Sequence, residues 1–232
     1  MTIQHIYTEK KEKLADLAAL PLKNFEDGMQ VFQYQSPIDF GDVKEVVSEP
    51  ELDLTLHYET EEYKQDVFGG SYHLVPLENK SYLTFEGQRF DLVDIHVHFP
   101  SEHTFKDQAS KFEFHIVHES AEGENLVIGI LYEGVEDEYL EEGPERRDVM
   151  KELFLERENM TFNPKTYLPQ PLSYYHFVGS LTTPPYSGPV LWFMMDEMQY
   201  ANMSIIKRVK EHVPINNNRV TFDLQDRIIY HN

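Results

Sequence analysis

The chain of 232 residues carries 41 acidic against 20 basic side chains, a formal charge of -21, and such a field repels phosphate backbones, which argues against nucleic acid as a partner. Hydrophobic residues make up 41%, with 15 Phe and 14 Tyr, enough to bury a sizeable core and to exclude wholesale disorder. Cysteine is absent, so disulfides and thiolate nucleophiles are excluded, and any transition-metal site must be built from His and carboxylates.

The N-terminal stretch MTIQHIYTEKKEKLADLAAL mixes charge with apolar residues and lacks the continuous apolar core of a signal peptide. Leu14, Leu17, Ala18 and Leu20 recur at near-helical spacing before Pro21, predicting a short helix over 9–20 within an N-terminal arm spanning 1–30. From residue 52 the pattern changes to short β-type runs: LDLTLHY, SYHLVPL, SYLTFEG, QRFDLVDIHVHF, KFEFHIVHES and NLVIGILYEG. Gly69-Gly70, Glu86-Gly87 and Glu122-Gly123 punctuate them as turns. Helices are predicted near 145–156, with Val149, Met150, Leu153 and Phe154 on one face, and near 204–212, with Ser204 as its cap. Strands return at VLWFMMD and RIIYHN.

Helices are too few to alternate with strands, so the predicted fold is mostly β: one large, mixed but mainly antiparallel twisted sheet with short peripheral helices. No repeat or linker divides the chain, and the expectation is a single domain over 1–232. No apolar run approaches the roughly 20 residues a bilayer crossing needs, so no membrane partner is expected and a cytoplasmic location is the simplest reading. Nothing in the pattern speaks to oligomeric state.

Five of the eleven histidines lie between residues 96 and 118. His96 and His98, two apart in a β-type run, project from one face of a strand. Glu113-Phe114-His115 offers a third imidazole, with a carboxylate two residues earlier on the same face. If the two strands pair, three imidazoles converge, and three protein ligands with one position open is the pattern of catalytic zinc. Asp94 and Glu113 share the ligand faces and are placed to accept the other ring N–H of a bound histidine. An H-x-H pair alone is weak evidence, and the added E-x-H strengthens it without making it specific.

The run DIHVHFPSEHT, then KFEFHIVH, then VGSLTTPPYSGPVLW, with QSPID at 35–39, resembles the α-class carbonic anhydrases in order and spacing, from about Gln35 to about Arg227. That resemblance implies zinc held by His96, His98 and His115, and reversible hydration of carbon dioxide to bicarbonate by a zinc-bound hydroxide. Thr182 would accept a hydrogen bond from that hydroxide and donate its own proton to Glu102. Glu113 would bond His115, His103 would buttress the buried carboxylates, and the Asn217 carbonyl would support His98. Val117, Val127, Leu181 and Trp192 match the apolar wall that receives the substrate, with Thr183 beside Thr182 in the same loop.

Several positions depart from the family pattern. Asp94 stands where the family often has Gln, Phe177 replaces a Tyr near the buried network, and Tyr186 replaces a Cys after the two prolines. The G-H element that carries the usual proton-shuttle histidine reads Gly70-Ser71. His73, two residues on, is the substitute candidate, and a slow or buffer-dependent enzyme is the expectation. Two other readings compete. A cupin-type metalloenzyme would use His96, His98 and Glu102 as an H-x-H-x3-E set, and a non-catalytic carbonic-anhydrase-like binding module would keep the fold as an interaction surface.

Overall fold

A computed structural model describes residues 23–24, 30–48, 53–68, 71–136, 159–212 and 216–232. The helices predicted over 9–20 and 145–156, and the Gly69-Gly70 turn, lie outside the described residues. Strands run in chain order as β1 (Lys23–Asn24), β2 (Gln30–Val31), β3 (Val46–Ser48), β4 (Leu54–His57), β5 (Glu61–Phe68), β6 (Ser71–Pro76), β7 (Tyr82–Phe85) and β8 (Gln88–His98). They continue as β9 (Thr104–Phe105), β10 (Gln108–Ala109), β11 (Phe112–Ser120), β12 (Asn125–Val135), β13 (Asn159–Phe162), β14 (Tyr174–Gly179), β15 (Val190–Met195) and β16 (Gln199–Asn202). Helix α1 (Met203–His212) and strand β17 (Ile229–His231) complete the order. Helix α1 begins one residue before Ser204, so Ser204 lies in its first turn and does not cap it. Among the described residues no helix is long and apolar enough to cross a membrane.

Thirteen of these strands form one sheet, whose main path is β13-β5-β6-β8-β11-β12-β15-β14-β17-β3. Most pairs are antiparallel, but β12–β15, β12–β16 and β17–β3 are parallel, which makes the sheet mixed, as the sequence predicts. The Glu86-Gly87 turn between β7 and β8 uses two positive-φ residues, at 49° and 76°, the conformation that a tight hairpin linking twisted strands demands.

Alternation divides the central strands between two apolar layers. Phe112, Phe114 and Ile116 of β11, Leu126, Ile128 and Ile130 of β12, and Leu191 and Phe193 of β15 enter the larger core. Val127 of β12, Trp192 and Met194 of β15, and Phe177 of β14 turn to the opposite face and form a smaller cluster with Ile38, Val190 and Ile229. Each fully buried side chain of this size contributes roughly 1.5–3 kcal/mol of transfer free energy.

Strand β8 breaks strict alternation. Val117 pairs with Asp94 and His118 with Leu92, so Val93 is an extra residue in the ladder. This bulge reverses the parity of the strand. Phe90 and Leu92 before it, and Ile95 and Val97 after it, all reach the larger core, and Asp94, His96 and His98 therefore share the other face.

Candidate metal centre

Three neighbouring strands bring the histidines together. His96 of β8 lies directly opposite His115 of β11 and directly opposite His73 of β6. His98 follows on the same face of β8, with its ring centroid 5.0 Å from that of His96 and 4.7 Å from that of His115. One nitrogen from each of His96, His98 and His115 falls in a single group whose atoms lie within 4.8 Å of one another. Strands β8 and β11 are central in the sheet, so their backbones are fixed by ladders on either side.

The opposite nitrogen of each ring has an acceptor. His96 Nδ1 is 2.7 Å from Asp94 Oδ2, His98 Nδ1 is 3.0 Å from the Asn217 carbonyl, and His115 Nε2 is 2.7 Å from Glu113 Oε1. With those nitrogens donating, the lone pairs of His96 Nε2, His98 Nε2 and His115 Nδ1 face inward, and His115 Nδ1 sits 3.3 Å from His96 Nε2. Fixing a tautomer in this way is how acceptors behind a metal-binding imidazole orient it.

Asn217 is itself tied to the end of β8. Its side-chain amide donates to the Val97 carbonyl at 3.0 Å and its Oδ1 accepts from the Phe99 N–H at 2.8 Å. Glu113 is fully buried and accepts four hydrogen bonds: from His115 Nε2 and His103 Nδ1 on Oε1, both at 2.7 Å, and from the backbone N–H groups of Glu102 and His103 on Oε2, both at 2.8 Å. His103 Nε2 is buried without a hydrogen-bond partner among the described residues, and its ring meets Phe177 edge-on at 5.8 Å. Gly129, opposite His115 on β12, has no side chain for a packing reason. A Cβ there would lie 2.2 Å from Met194 Sδ and 3.3 Å from Glu113 Oε1.

Charge follows the same network. Burial pushes the Asp94 carboxyl up, but hydrogen bonds from His73 and His96 outweigh it and hold the group below the usual carboxylate range. Glu113 behaves alike: burial raises it, while His103 and His115 pull it well below. Burial drives His96 down to about 3 against the pull of Asp94, and lowers His98 as well, so both rings are neutral with lone pairs to offer. His115 is lowered by burial but raised further by Glu113.

Of the remaining expected residues, Glu102 and Trp192 lie beside the histidines, with Glu102 Oε1 3.4 Å from His98 Nδ1 and the Trp192 ring 5.0 Å from that of His115. Glu102 is buried, its Oε1 accepting from the Arg219 N–H at 2.9 Å, while Oε2 has no hydrogen-bond partner among the described residues. Thr182 is buried and Thr183 exposed. The Thr182 loop is pinned by Leu181 N–H to Ser187 at 2.8 Å, Tyr186 N–H to Thr183 at 2.9 Å and Trp192 Nε1–H to the Ser180 carbonyl at 3.1 Å. Val127 and Trp192 are buried in the smaller apolar cluster, with Val117 and Leu181 packed against it. His73 is turned inward, 8% exposed, with Nδ1 at 2.9 and 3.1 Å from the two Asp94 oxygens.

Arg219 was not identifiable from the sequence as part of this site. Its guanidinium is stacked between the rings of Tyr186 and Phe222, at 3.7 and 4.2 Å, and its Nη1 bonds the Ser36 carbonyl. That clamp delivers its N–H to Glu102, 117 positions away in the chain, a separation that no local motif signals.

Residues 28–232 match the family model for eukaryotic-type carbonic anhydrase. The chain belongs to the carbonic anhydrase family. A carbonic anhydrase of Nostoc sp. is 30% identical over 207 residues, covering 86% of this chain and 76% of that protein. Alpha carbonic anhydrase 5 of Arabidopsis thaliana is 34% identical over 142 residues, 59% of this chain and 50% of the plant protein. The chain thus spans half the length of that plant relative and about three quarters of the bacterial one. Among solved structures, the α-carbonic anhydrase of Thermovibrio ammonificans, in complex with sulfanilamide, superposes with a TM-score of 0.71 at 27% identity, covering 85% of this chain and 86% of its own. The α-carbonic anhydrase of Photobacterium profundum gives 0.71 at 28%, covering 85% and 88%. The carbonic anhydrase fold replaces the cupin reading, and Glu102 stands outside the group of His96, His98 and His115.

The donor set fits the metal that the family implies. Three imidazoles suit a borderline-soft divalent ion such as zinc, and among the described residues no fourth side chain joins the group. The buried Nε2 of His98, without a hydrogen-bond partner among the described residues, adds an independent reason. An orphaned polar atom in a protein interior costs about 1–3 kcal/mol, which a ligand at that nitrogen would relieve.

Proposed function

We propose that the chain hydrates carbon dioxide reversibly to bicarbonate and a proton, with zinc held by His96, His98 and His115. The observation that carries this reading is the convergence of three ring nitrogens whose opposite nitrogens are each held by an acceptor. A zinc bound there supplies a Lewis acid that brings the pKa of its water to about 7, a magnitude known from carbonic anhydrases themselves.

The protein supplies the rest. Val117, Val127, Leu181 and Trp192 form an apolar wall suited to a non-polar linear substrate, and they exclude competing water from one side of it. In the working site Thr182 would donate its hydroxyl proton to Glu102, whose Oε2 has no other hydrogen-bond partner among the described residues. With that proton committed, the Thr182 oxygen acts only as an acceptor toward the attacking water and turns its lone pair to the carbon. The Arg219 N–H occupies Oε1 and leaves Oε2 for Thr182.

Stopped-flow hydration of the wild type and of Thr182→Ala tests this arrangement. The variant is expected to keep its zinc and lose about 100-fold in kcat/KM, the scale of losing one aligned polar group in the transition state. Unchanged kcat/KM would remove Thr182 and Glu102 from the mechanism.

A further inference from the structure

We infer that His73 is a positioning residue for the metal centre: it holds the Asp94 carboxylate in the plane that aims Oδ2 at His96 Nδ1. The inference rests on the zinc reading above, since His96 matters only as a ligand.

Asp94 stands where the ladder is least regular, immediately after the Val93 bulge. The carboxylate torsion is broad and roughly two-fold, so the single 2.7 Å bond to His96 does not by itself fix the group. Its side chain is 21% exposed, which lets water compete for it. The neighbour across the ladder on β11 is Val117, which offers no side-chain donor. His73 supplies what is missing. Its Nδ1 lies within hydrogen-bond distance of both Asp94 oxygens, at 2.9 and 3.1 Å, so it straddles the carboxylate and defines its plane.

The placement of His73 is itself over-determined. Tyr72 and Leu74 on either side of it enter the larger core, which turns His73 to the metal-site face. Ser71, two residues earlier on the same face, donates to the Val97 carbonyl of β8 and locks β6 to the ligand strand. The His73 ring lies 5.0 Å from the His96 ring in a tilted contact. Three residues on two strands therefore form one chain of contacts, from His73 through Asp94 to the ligand His96. A histidine engaged in this way, and 8% exposed, serves the carboxylate and not the bulk solvent.

The test is a double-mutant cycle on zinc affinity, measured by chelator competition for the wild type, His73→Leu, Asp94→Ala and the double variant. His73→Leu should weaken zinc binding by about 10- to 100-fold, as expected for losing support behind a metal ligand. With Asp94→Ala already present, the same change should cost no more than about twofold, because the path it acts through is gone. His73→Gln, which keeps a donor, should restore most of the affinity. Should the Leu variant lose its fold, His73→Met against His73→Gln gives the same comparison of no donor with donor at similar volume. In the metal-free protein the His96 Nδ1–H proton resonance should be sharp in the wild type and broadened in the donor-free variant. Equal losses with and without Asp94, or no loss in His73→Leu, would overturn the inference while leaving the zinc reading intact. A wild type that binds no zinc would overturn both.

Discussion

Replacing Glu113 by Gln changes one atom of a buried carboxylate and has a consequence at the metal that follows from proton placement. Glu113 Oε1 faces two ring nitrogens and Oε2 faces two backbone N–H groups. A Gln amide at the Oε2 position would confront donors that cannot turn. The amide nitrogen must therefore take the Oε1 position, where His103 and His115 accept its protons only by moving their own to the far side of the ring. For His103 that far atom is Nε2, which has no partner among the described residues. For His115 it is Nδ1, the atom facing His96 Nε2 at 3.3 Å and the one a metal needs. Binding zinc then forces one mismatched buried donor, about 1–3 kcal/mol, or a loss of about 5- to 150-fold in affinity. Glu113→Ala is harsher. It strands four buried donors at about 1–3 kcal/mol each, a total comparable with the whole stability of a domain, and it should not fold. Chelator competition for zinc, together with urea unfolding of the metal-free protein, separates the two effects. A Gln variant that folds and binds zinc as tightly as the wild type would refute the proton assignment at His115.

Other consequences are as specific. His118 is buried against Tyr58, with Nε2 2.8 Å from its hydroxyl, and burial lowers it to about 3. Its native pKa lies below the unfolded value of about 6.5, so the stability it contributes is present above pH 6.5 and is lost as pH falls toward 3, reaching about 2 kcal/mol by pH 5. Urea titrations at pH 8 and pH 5 should show that loss shrinking in His118→Gln, and an unchanged difference would contradict it. Gly129→Ala should cost about 1–3 kcal/mol by overpacking against the buried Met194 thioether, which a Cβ would meet at 2.2 Å. Unaltered urea stability would show that Met194 moves aside freely. With a buried Ser71 at the usual shuttle position and His73 turned inward, kcat for hydration should rise with the concentration of an imidazole-type buffer. A fast rate indifferent to buffer would show that another group exports the proton.

The convergence of His96, His98 and His115 was readable because it depends on local spacing: H-x-H on one strand and E-x-H on the next bring the three rings to one face once β8 and β11 pair. The parity of β8 was not readable. Uniform alternation from Phe90 would send His96 and His98 into the larger core with Phe90 and Leu92, and only the Val93 bulge, a property of the ladder, turns them to the other face. Strand β5 escaped notice because half of EEYKQDVF is charged, although Tyr63 within it is fully buried. The inward pairing of His73 was equally hidden, since it depends on β6 lying beside β8 in a register that puts His73 opposite His96. Arg219 and its hold on Glu102 arise from two chain segments that meet only in the folded molecule.

Metal content and hydration rate, followed together in one sample, bear most directly on the zinc centre. Purified protein should contain about one zinc per chain, lose both zinc and hydration activity on chelation, and recover both on adding zinc back. Carbon dioxide hydration that persists in the metal-free protein, or a fully zinc-loaded protein that forms no bicarbonate, would contradict it.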